Sequence, residues 1–300
     1  MSVSEQASAA RIWLMAARPR TLPAAVAPVL VGTALAATGG TFKPLTFLAA
    51  LTGALFIQVG TNLSNDYSDA RRGADSDDRL GPVRVTAGGL VPPKQVLKAT
   101  YITFGLAAVC GGYLVAVAGI ELLFVGIASI AAGVLYTGGP RPYGYEGLGE
   151  VFVFLFFGIV AVAGSTFVQL ERWPVEAFVL AVPVGLLAAA ILVVNNVRDM
   201  DSDKRAGKRT LAVRLGRERG RLLYGAMVYG SYLVAPLPWL LGSPLSAWLL
   251  LCWLTLPLAV RIVRIVRRHA DGPTLNEALA QTGMLQLAFC LLLSAGILAS

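Results

Sequence analysis

The stretch 176–196, EAFVLAVPVGLLAAAILVVNN, carries Glu176 as its only charge and runs straight into VRDMDSDKR at 197–205. A helix rises about 1.5 Å per residue, so about 20 apolar residues cover the hydrocarbon of a bilayer. The stretch therefore reads as a membrane-crossing helix that ends in a cluster of Asn and Asp. Eight further apolar segments stand beside it. Together the nine are 22–38, 45–64, 96–118, 122–138, 150–170, 176–196, 222–241, 245–266 and 283–299. Pro23, Pro28, Pro183, Pro236, Pro238 and Pro257 fall within them, which membrane helices tolerate.

Composition agrees with this reading. The 300 residues are 56% hydrophobic and 14% charged, against about 25% charged in soluble domains. The mean hydropathy is +0.68. A soluble enzyme, a disordered chain and a disulfide scaffold are excluded on these figures. Cys110, Cys252 and Cys290 lie singly in apolar runs, and His269 is the one histidine. Neither a zinc site nor a Ser-His-Asp triad is supported. The net charge of +8 would suggest nucleic acid in a soluble protein. In a membrane protein it reads as the excess of Lys and Arg that holds loops in the cytoplasm, so no nucleic-acid partner is expected.

The placement of that charge sets the topology. With nine spans, the side holding the N-terminus carries the Lys and Arg of 1–21, 65–98, 139–149, 197–221 and 261–282. Only Lys43 and Arg172 fall on the other side. The expectation is an all-α polytopic membrane protein with nine transmembrane helices and a cytoplasmic N-terminus. Residues 1–300 form one domain, with 1–21 an N-terminal tail and interfacial segment. The run RIVRIVRR (261–268) reads as basic side chains snorkelling to lipid headgroups.

Two long loops on the basic side carry most of the acids. The second segment ends Gln58-Val-Gly-Thr-Asn62-Leu-Ser-Asn65-Asp66-Tyr-Ser-Asp69, and the sixth ends Asn195-Asn196-Val-Arg198-Asp199-Met-Asp201-Ser-Asp203. If the helices continue that far, Asn62, Asp66 and Asp69 share one face, as do Asn195, Asp199 and Asp203. Stacked carboxylates repel one another and oppose the dipole at a helix C-terminus. A cation that neutralises them is expected, and all-oxygen ligands favour Mg2+. Two such columns face to face would hold a diphosphate through bridging ions. Arg71, Arg72, Arg198, Lys204, Lys208 and Arg209 would supply further positive charge. Asp75 is the acid of the intervening loop that reads most readily as an added ligand.

At these residues the chain resembles the UbiA superfamily of intramembrane aromatic prenyltransferases, which has nine helices and Asp-rich motifs on the second and sixth. GTNLSNDYSDARRGADSDDRLGPVRVTAGGL (60–90), YTGGPRPYGYEGLGE (136–150) and DMDSDKRAGKRTLAVRLG (199–216) are similar to the branch that prenylates 1,4-dihydroxy-2-naphthoate. One departure is that Ala70 stands where the simple motif spacing has its second Asp, with Asp69 and Asp75 on either side.

The resemblance implies Mg2+-dependent transfer of a polyprenyl group from polyprenyl diphosphate to 1,4-dihydroxy-2-naphthoate. Carbon dioxide is lost, giving demethylmenaquinone for menaquinone synthesis. It implies a multi-pass protein of the cell (inner) membrane, in contact with lipid, with its site toward the cytoplasm. The expected metal ligands are Asp66, Asp69, Asp75, Asp199 and Asp203. The expected diphosphate contacts are Asn62, Arg72, Arg141, Asn195, Arg198, Lys204, Lys208 and Arg209. Asp66, Asp199, Tyr136 and Glu150 are the expected catalytic groups.

Some residues keep two readings. Arg141 and Tyr136 suit either the site or an interfacial aromatic belt. Glu150 suits a base, a group orienting the acceptor hydroxyl, or an acid at a helix start. Arg18 and Arg20 either reach the site or anchor the chain. Gln58 and Gln169 are site residues or interhelical bonds. Another ring acceptor (4-hydroxybenzoate, homogentisate or haem) or a secondary transporter built from repeats are the alternative functions.

Overall fold

The structure, a computed structural model, describes residues 8–74, 80–81 and 83–300. Its helices are α1 (Ala9–Ala17), α2 (Pro23–Thr38), α3 (Pro44–Arg71), α4 (Pro93–Ala118), α5 (Glu121–Leu135), α6 (Gly149–Leu170), α7 (Val175–Arg205), α8 (Leu211–Leu215), α9 (Arg217–Val234), α10 (Leu237–Leu240), α11 (Ala247–Arg268) and α12 (Gly272–Leu298). There is no strand among the described residues. Helices α2, α3 and α4 each start on a proline. Proline suits a first helical position, where its missing N–H and fixed φ do no harm.

All nine apolar segments read from the sequence are helical over most of their length. Among the described residues, six helices (α3, α4, α6, α7, α11 and α12) are long and apolar enough to cross a membrane. Helices α1 and α2, bent by 51° where they meet, make a seventh if taken as one span. Helix α5 has only 15 residues. Helix α9 opens on the charged turn RERGR, and Pro236 follows soon after its end.

Helix α7 is the axis of the bundle. Of its most apolar window, 72% is buried, against 11% for α4. Its buried face packs with α2, α6, α9, α11 and α12 in one core that includes Leu180, Val184, Leu187, Val194, Tyr224, Ile262, Leu285 and Phe289. Close approach between membrane helices needs small residues. Gly158 of α6 faces Gly185 of α7, and a Cβ built on Gly158 would stand 2.7 Å from the Gly185 Cα. Gly158 lies in a π-helical turn, Leu155–Val160. Such turns insert one residue into a helix and are frequent at functional sites.

Both motif helices run past the apolar part. Helix α3 continues to Arg71 and α7 to Arg205, so the acids of both motifs are helical. Asp69 and Asp203 flank the same ammonium, that of Lys208, which places the two motifs at one end of the bundle.

Candidate active site

The first motif is built around its own downstream loop. Asp66 is buried, and both its carboxylate oxygens are engaged. Oδ2 accepts from the Val85 N–H at 3.0 Å and Oδ1 from the Thr86 N–H at 2.8 Å. The loop is anchored by Val85 and Val91, which pack with Ala16, Leu63 and Val96. Its backbone closes with Leu90 and Val91 N–H both donating to the Val85 carbonyl. The residue just before Val85, Arg84, turns its guanidinium to Asp69, Nη2 donating to Oδ2 at 2.9 Å. Asp69 also accepts from the Tyr145 hydroxyl at 2.7 Å. Asn62 donates to the Ala17 carbonyl and to Thr21, and Gln58 also donates to Thr21. The Thr137 hydroxyl donates to Asn65.

The second motif is organised within its own helix. Arg198, 2% exposed, donates from Nε to Asp199 Oδ1 at 2.8 Å and from Nη2 to Asp199 and Asn195. Its Nη1 reaches Asn276 of α12 at 2.6 Å, and Asn276 in turn donates to the Leu80 carbonyl. Asn196 donates to Glu150 Oε1 at 2.9 Å, while Glu150 Oε2 is buried without a hydrogen-bond partner. Asp201 points away, paired with Arg217. Lys208 lies between the motifs, its Nζ 3.9 Å from Asp69 Oδ2, 3.8 Å from Asp203 Oδ1 and 4.7 Å from the centre of the Tyr145 ring.

These groups close one end of a cavity of about 520 Å3. Its polar end is lined by Asn62, Asp69, Arg84, Asp199, Asp203 and Lys208, among others. The rest is apolar and lies between α2, α3, α4, α5 and α6. Tyr136, Tyr143, Phe152 and Phe156 form an aromatic wall. Tyr136 meets Tyr143 edge-on at 5.5 Å, and Tyr143 stacks on Phe152 at 4.0 Å. Burial pushes the Tyr143 phenol well above its ordinary pKa, so it stays neutral, and its hydroxyl donates to the Ala132 carbonyl. Gly144 seats Tyr136: its N–H donates to the Tyr136 carbonyl, and a Cβ there would stand 2.9 Å from the ring. Leu123 and Ile127 line the cavity yet are 44% and 59% exposed. The apolar end therefore opens on the outer face of α5.

Residues 25–297 match the model of the UbiA prenyltransferase family. The chain belongs to that family. It is 42% identical to the 1,4-dihydroxy-2-naphthoate octaprenyltransferase of Mycobacterium tuberculosis over 93% of this chain and 94% of the relative. It is 40% identical to the Escherichia coli protein of the same name, over 93% and 92%. Among solved structures, a UbiA homolog from Aeropyrum pernix aligns with a TM-score of 0.70 at 14% identity, covering 93% of this chain and 97% of that one. A UbiA homolog from Archaeoglobus fulgidus bound to GPP and Mg2+ aligns at 0.67 and 14%, covering 96% and 100%. At such identities these two show the shared UbiA fold alone.

Within the UbiA frame, the expected site residues separate into groups. Asn62, Asp69, Tyr136, Asn195, Asp199, Asp203 and Lys208 line the cavity. Asp66, Arg198 and Glu150 stand behind that wall, each bonded to something that shapes it. Arg72 donates to the Gly139 carbonyl and lies over Tyr145, while Arg141, Lys204 and Arg209 are exposed and away from the cavity lining. Asp75 lies outside the described residues. Arg18 lines the cavity and Arg20 does not. Gln58 is in the wall, whereas Gln169 is tied to the Lys43 backbone on the far side of the bundle.

Sequence reasoning gave no role to Arg84, Thr21, Asn276 or the Phe152–Phe156 pair. For Arg84 a signal was present: a lone cation between Val83 and Val85, in a short apolar run of an otherwise charged loop.

Proposed function

We propose that the chain transfers a polyprenyl group from polyprenyl diphosphate to 1,4-dihydroxy-2-naphthoate, with loss of carbon dioxide, giving demethylmenaquinone. The observation that carries this is the two-ended cavity. One end has three acids from two motifs beside buried cations, and the other is apolar, aromatic and open at α5. A diphosphate with a long hydrocarbon tail matches both ends, and the opening lets the tail extend into lipid. Relatives bearing the naphthoate name at 40–42% identity over most of the chain support this acceptor.

The fit of Mg2+ can be judged on the donors. Asp69, Asp199 and Asp203 present only oxygen to the cavity. No ready-made group of three acidic, His or Cys side chains exists among the described residues. That matches an ion held by one or two carboxylates and completed by phosphate oxygens and water. Bound there by Asp69, Asp199 and Asp203, Mg2+ would offset the charge that accumulates on the departing diphosphate.

The chain's own residues do the rest. Arg84 and Lys208 meet the diphosphate oxygens. Asp66 holds the loop that presents Arg84, and Arg198 fixes the Asp199 carboxylate. The faces of Tyr136, Tyr143 and Phe152 line the path of the allylic carbon, where π density favours developing positive charge. The same apolar wall keeps water from that carbon. Glu150, behind the wall, accepts from Asn196 through Oε1 and so fixes an amide that lines the cavity.

We further propose that the nine helical segments all cross the cell (inner) membrane, with the N-terminus and the polar end of the cavity toward the cytoplasm, a reading supported by the bias of Lys and Arg. The test of function is purified protein in detergent with Mg2+, a long-chain prenyl diphosphate and 1,4-dihydroxy-2-naphthoate. Release of diphosphate and carbon dioxide with formation of a lipid quinol is expected. An inert naphthoate alongside a reactive 4-hydroxybenzoate would reject the acceptor.

A further inference from the structure

Each described acid of the two motifs that borders the cavity already has its own cation. Asp69 has Arg84, Asp199 has Arg198, and Asp203 has Lys208. Asp66 is satisfied by two backbone amides instead. With nothing bound, the polar end is thus close to electrically balanced. An added divalent ion would bring two uncompensated positive charges into a site of low dielectric, beside guanidinium and ammonium groups that repel it. A divalent ion that arrives together with a diphosphate brings net negative charge and meets no such barrier.

The three cations are not held alike. Arg84 and Arg198 donate hydrogen bonds of 2.9 and 2.8 Å, and both are almost fully buried. Lys208 makes contacts of only 3.8 and 3.9 Å, beyond hydrogen-bond reach. It is also the one that touches an acid from each motif. Its backbone is pinned, with the Lys208 N–H donating to the Asp203 carbonyl and the Arg209 N–H to the Tyr145 carbonyl. Its side chain is a flexible stem ending in a point charge, lying over the Tyr145 ring, and such a head is free to turn where a bidentate guanidinium is not.

We propose that Lys208 is a tethered placeholder cation. In the ligand-free enzyme its ammonium joins Asp69 to Asp203 and keeps a lone divalent ion out. When prenyl diphosphate enters with its metal, the ammonium leaves the carboxylates for the phosphate oxygens, and the acids become ligands. The role makes metal binding depend on diphosphate and prevents the two motifs from closing on metal alone. It rests on the metal–diphosphate reading of this end of the cavity, but not on which ring is the acceptor.

The experiment compares the full-length wild type in detergent with Lys208→Met, which keeps the stem and removes the charge. Mn2+ is titrated alone, without diphosphate, and bound ion is followed by electron paramagnetic resonance. The variant is expected to bind Mn2+ alone at least about tenfold more tightly than the wild type. Mg2+ alone should raise the thermal unfolding temperature of the variant and not that of the wild type, because a ligand stabilises the state that binds it. Equal Mn2+ affinity in the two folded proteins overturns the proposal. If Lys208→Met does not fold, Lys208→Gln takes its place with the same expectations. A failed naphthoate assay beside a tenfold Mn2+ effect would reject the acceptor alone, and a working assay with no Mn2+ effect would reject the placeholder alone.

Discussion

The two acidic motifs look like copies of one another in sequence, yet they are wired differently. The first reaches forward in the chain: Asp66 grips the backbone at Val85 and Thr86, and Asp69 takes the side chain of the residue before them, Arg84. The second is closed on itself, Asp199 being neutralised by its neighbour Arg198 within α7, with Asn276 as an outside stay. Burial explains the difference. Helix α7 runs through the centre of the bundle, so packed neighbours are at hand to hold its end. Helix α3 lies toward the outside and recruits the loop that follows it. Similar strings of Asn and Asp at helix ends therefore do separate tasks. One shapes a wall from a loop, and the other stabilises a charged helix end at the core.

Alanine at either leading acid breaks this arrangement most. Asp199→Ala is expected to lower turnover by at least about 100-fold, roughly 2.7 kcal/mol of barrier, and Asp66→Ala, which releases the loop that presents Arg84, to lower kcat/KM by at least about tenfold. Their effects on stability separate them. Asp199→Ala strands the buried Arg198 charge, a loss on the order of 3–5 kcal/mol. Asp66→Ala leaves two backbone amides that loop movement can return to solvent. Thermal unfolding in detergent checks this, and equal destabilisation of the two variants would mean the motifs are held the same way.

The comparison sharpens at Arg84. Arg84→Ala is expected to raise KM for the prenyl diphosphate about tenfold, some 1.4 kcal/mol, with a smaller change in kcat at saturation. If Asp66 works by presenting Arg84, the double variant Asp66→Ala/Arg84→Ala will be no worse than Asp66→Ala alone. Asp199→Ala/Arg84→Ala will instead show the product of the two single effects, since separate sites add in free energy. Additive losses in the Asp66 pair would show that Asp66 acts on the substrate or metal directly.

What the sequence made legible follows from the range of the forces involved. Hydrophobic segments and the bias of basic residues are local patterns, and every apolar segment found that way is helical here. The same-face columns Asn62–Asp69 and Asn195–Asp203 were legible because helical period fixes them once the helices run on. Arg84 was not, because its approach to Asp69 depends on a loop that folds back across α3. Nor was the aromatic wall, since Phe156 lies within, and Phe152 just before, a π-helical turn that seats against Gly185. No periodicity reports such an insertion. Arg141 and Lys204 show the opposite case: the sequence draws them toward the site, and in the structure they are exposed and do not border the cavity.

Those two residues give the mildest test. Arg141 and Lys204 are exposed, and neither borders the cavity, whereas Lys208, only four residues beyond Lys204, is nearly enclosed. A cation in water is screened over about 10 Å at ordinary salt, and isolated surface charges contribute on the order of 0–1 kcal/mol. Arg141→Ala and Lys204→Ala should thus change kcat/KM by less than about fivefold, the equivalent of 1 kcal/mol, and the residual effect should fade as salt is raised. Measured at low and high salt beside Arg84→Ala, whose effect should persist because its ion pair is buried, the series separates cations that form the wall from those that only surround its mouth. A tenfold loss at Arg141 that survived high salt would instead place the 139–147 turn against the diphosphate in the loaded enzyme, bringing a third element into a site that α3 and α7 otherwise share.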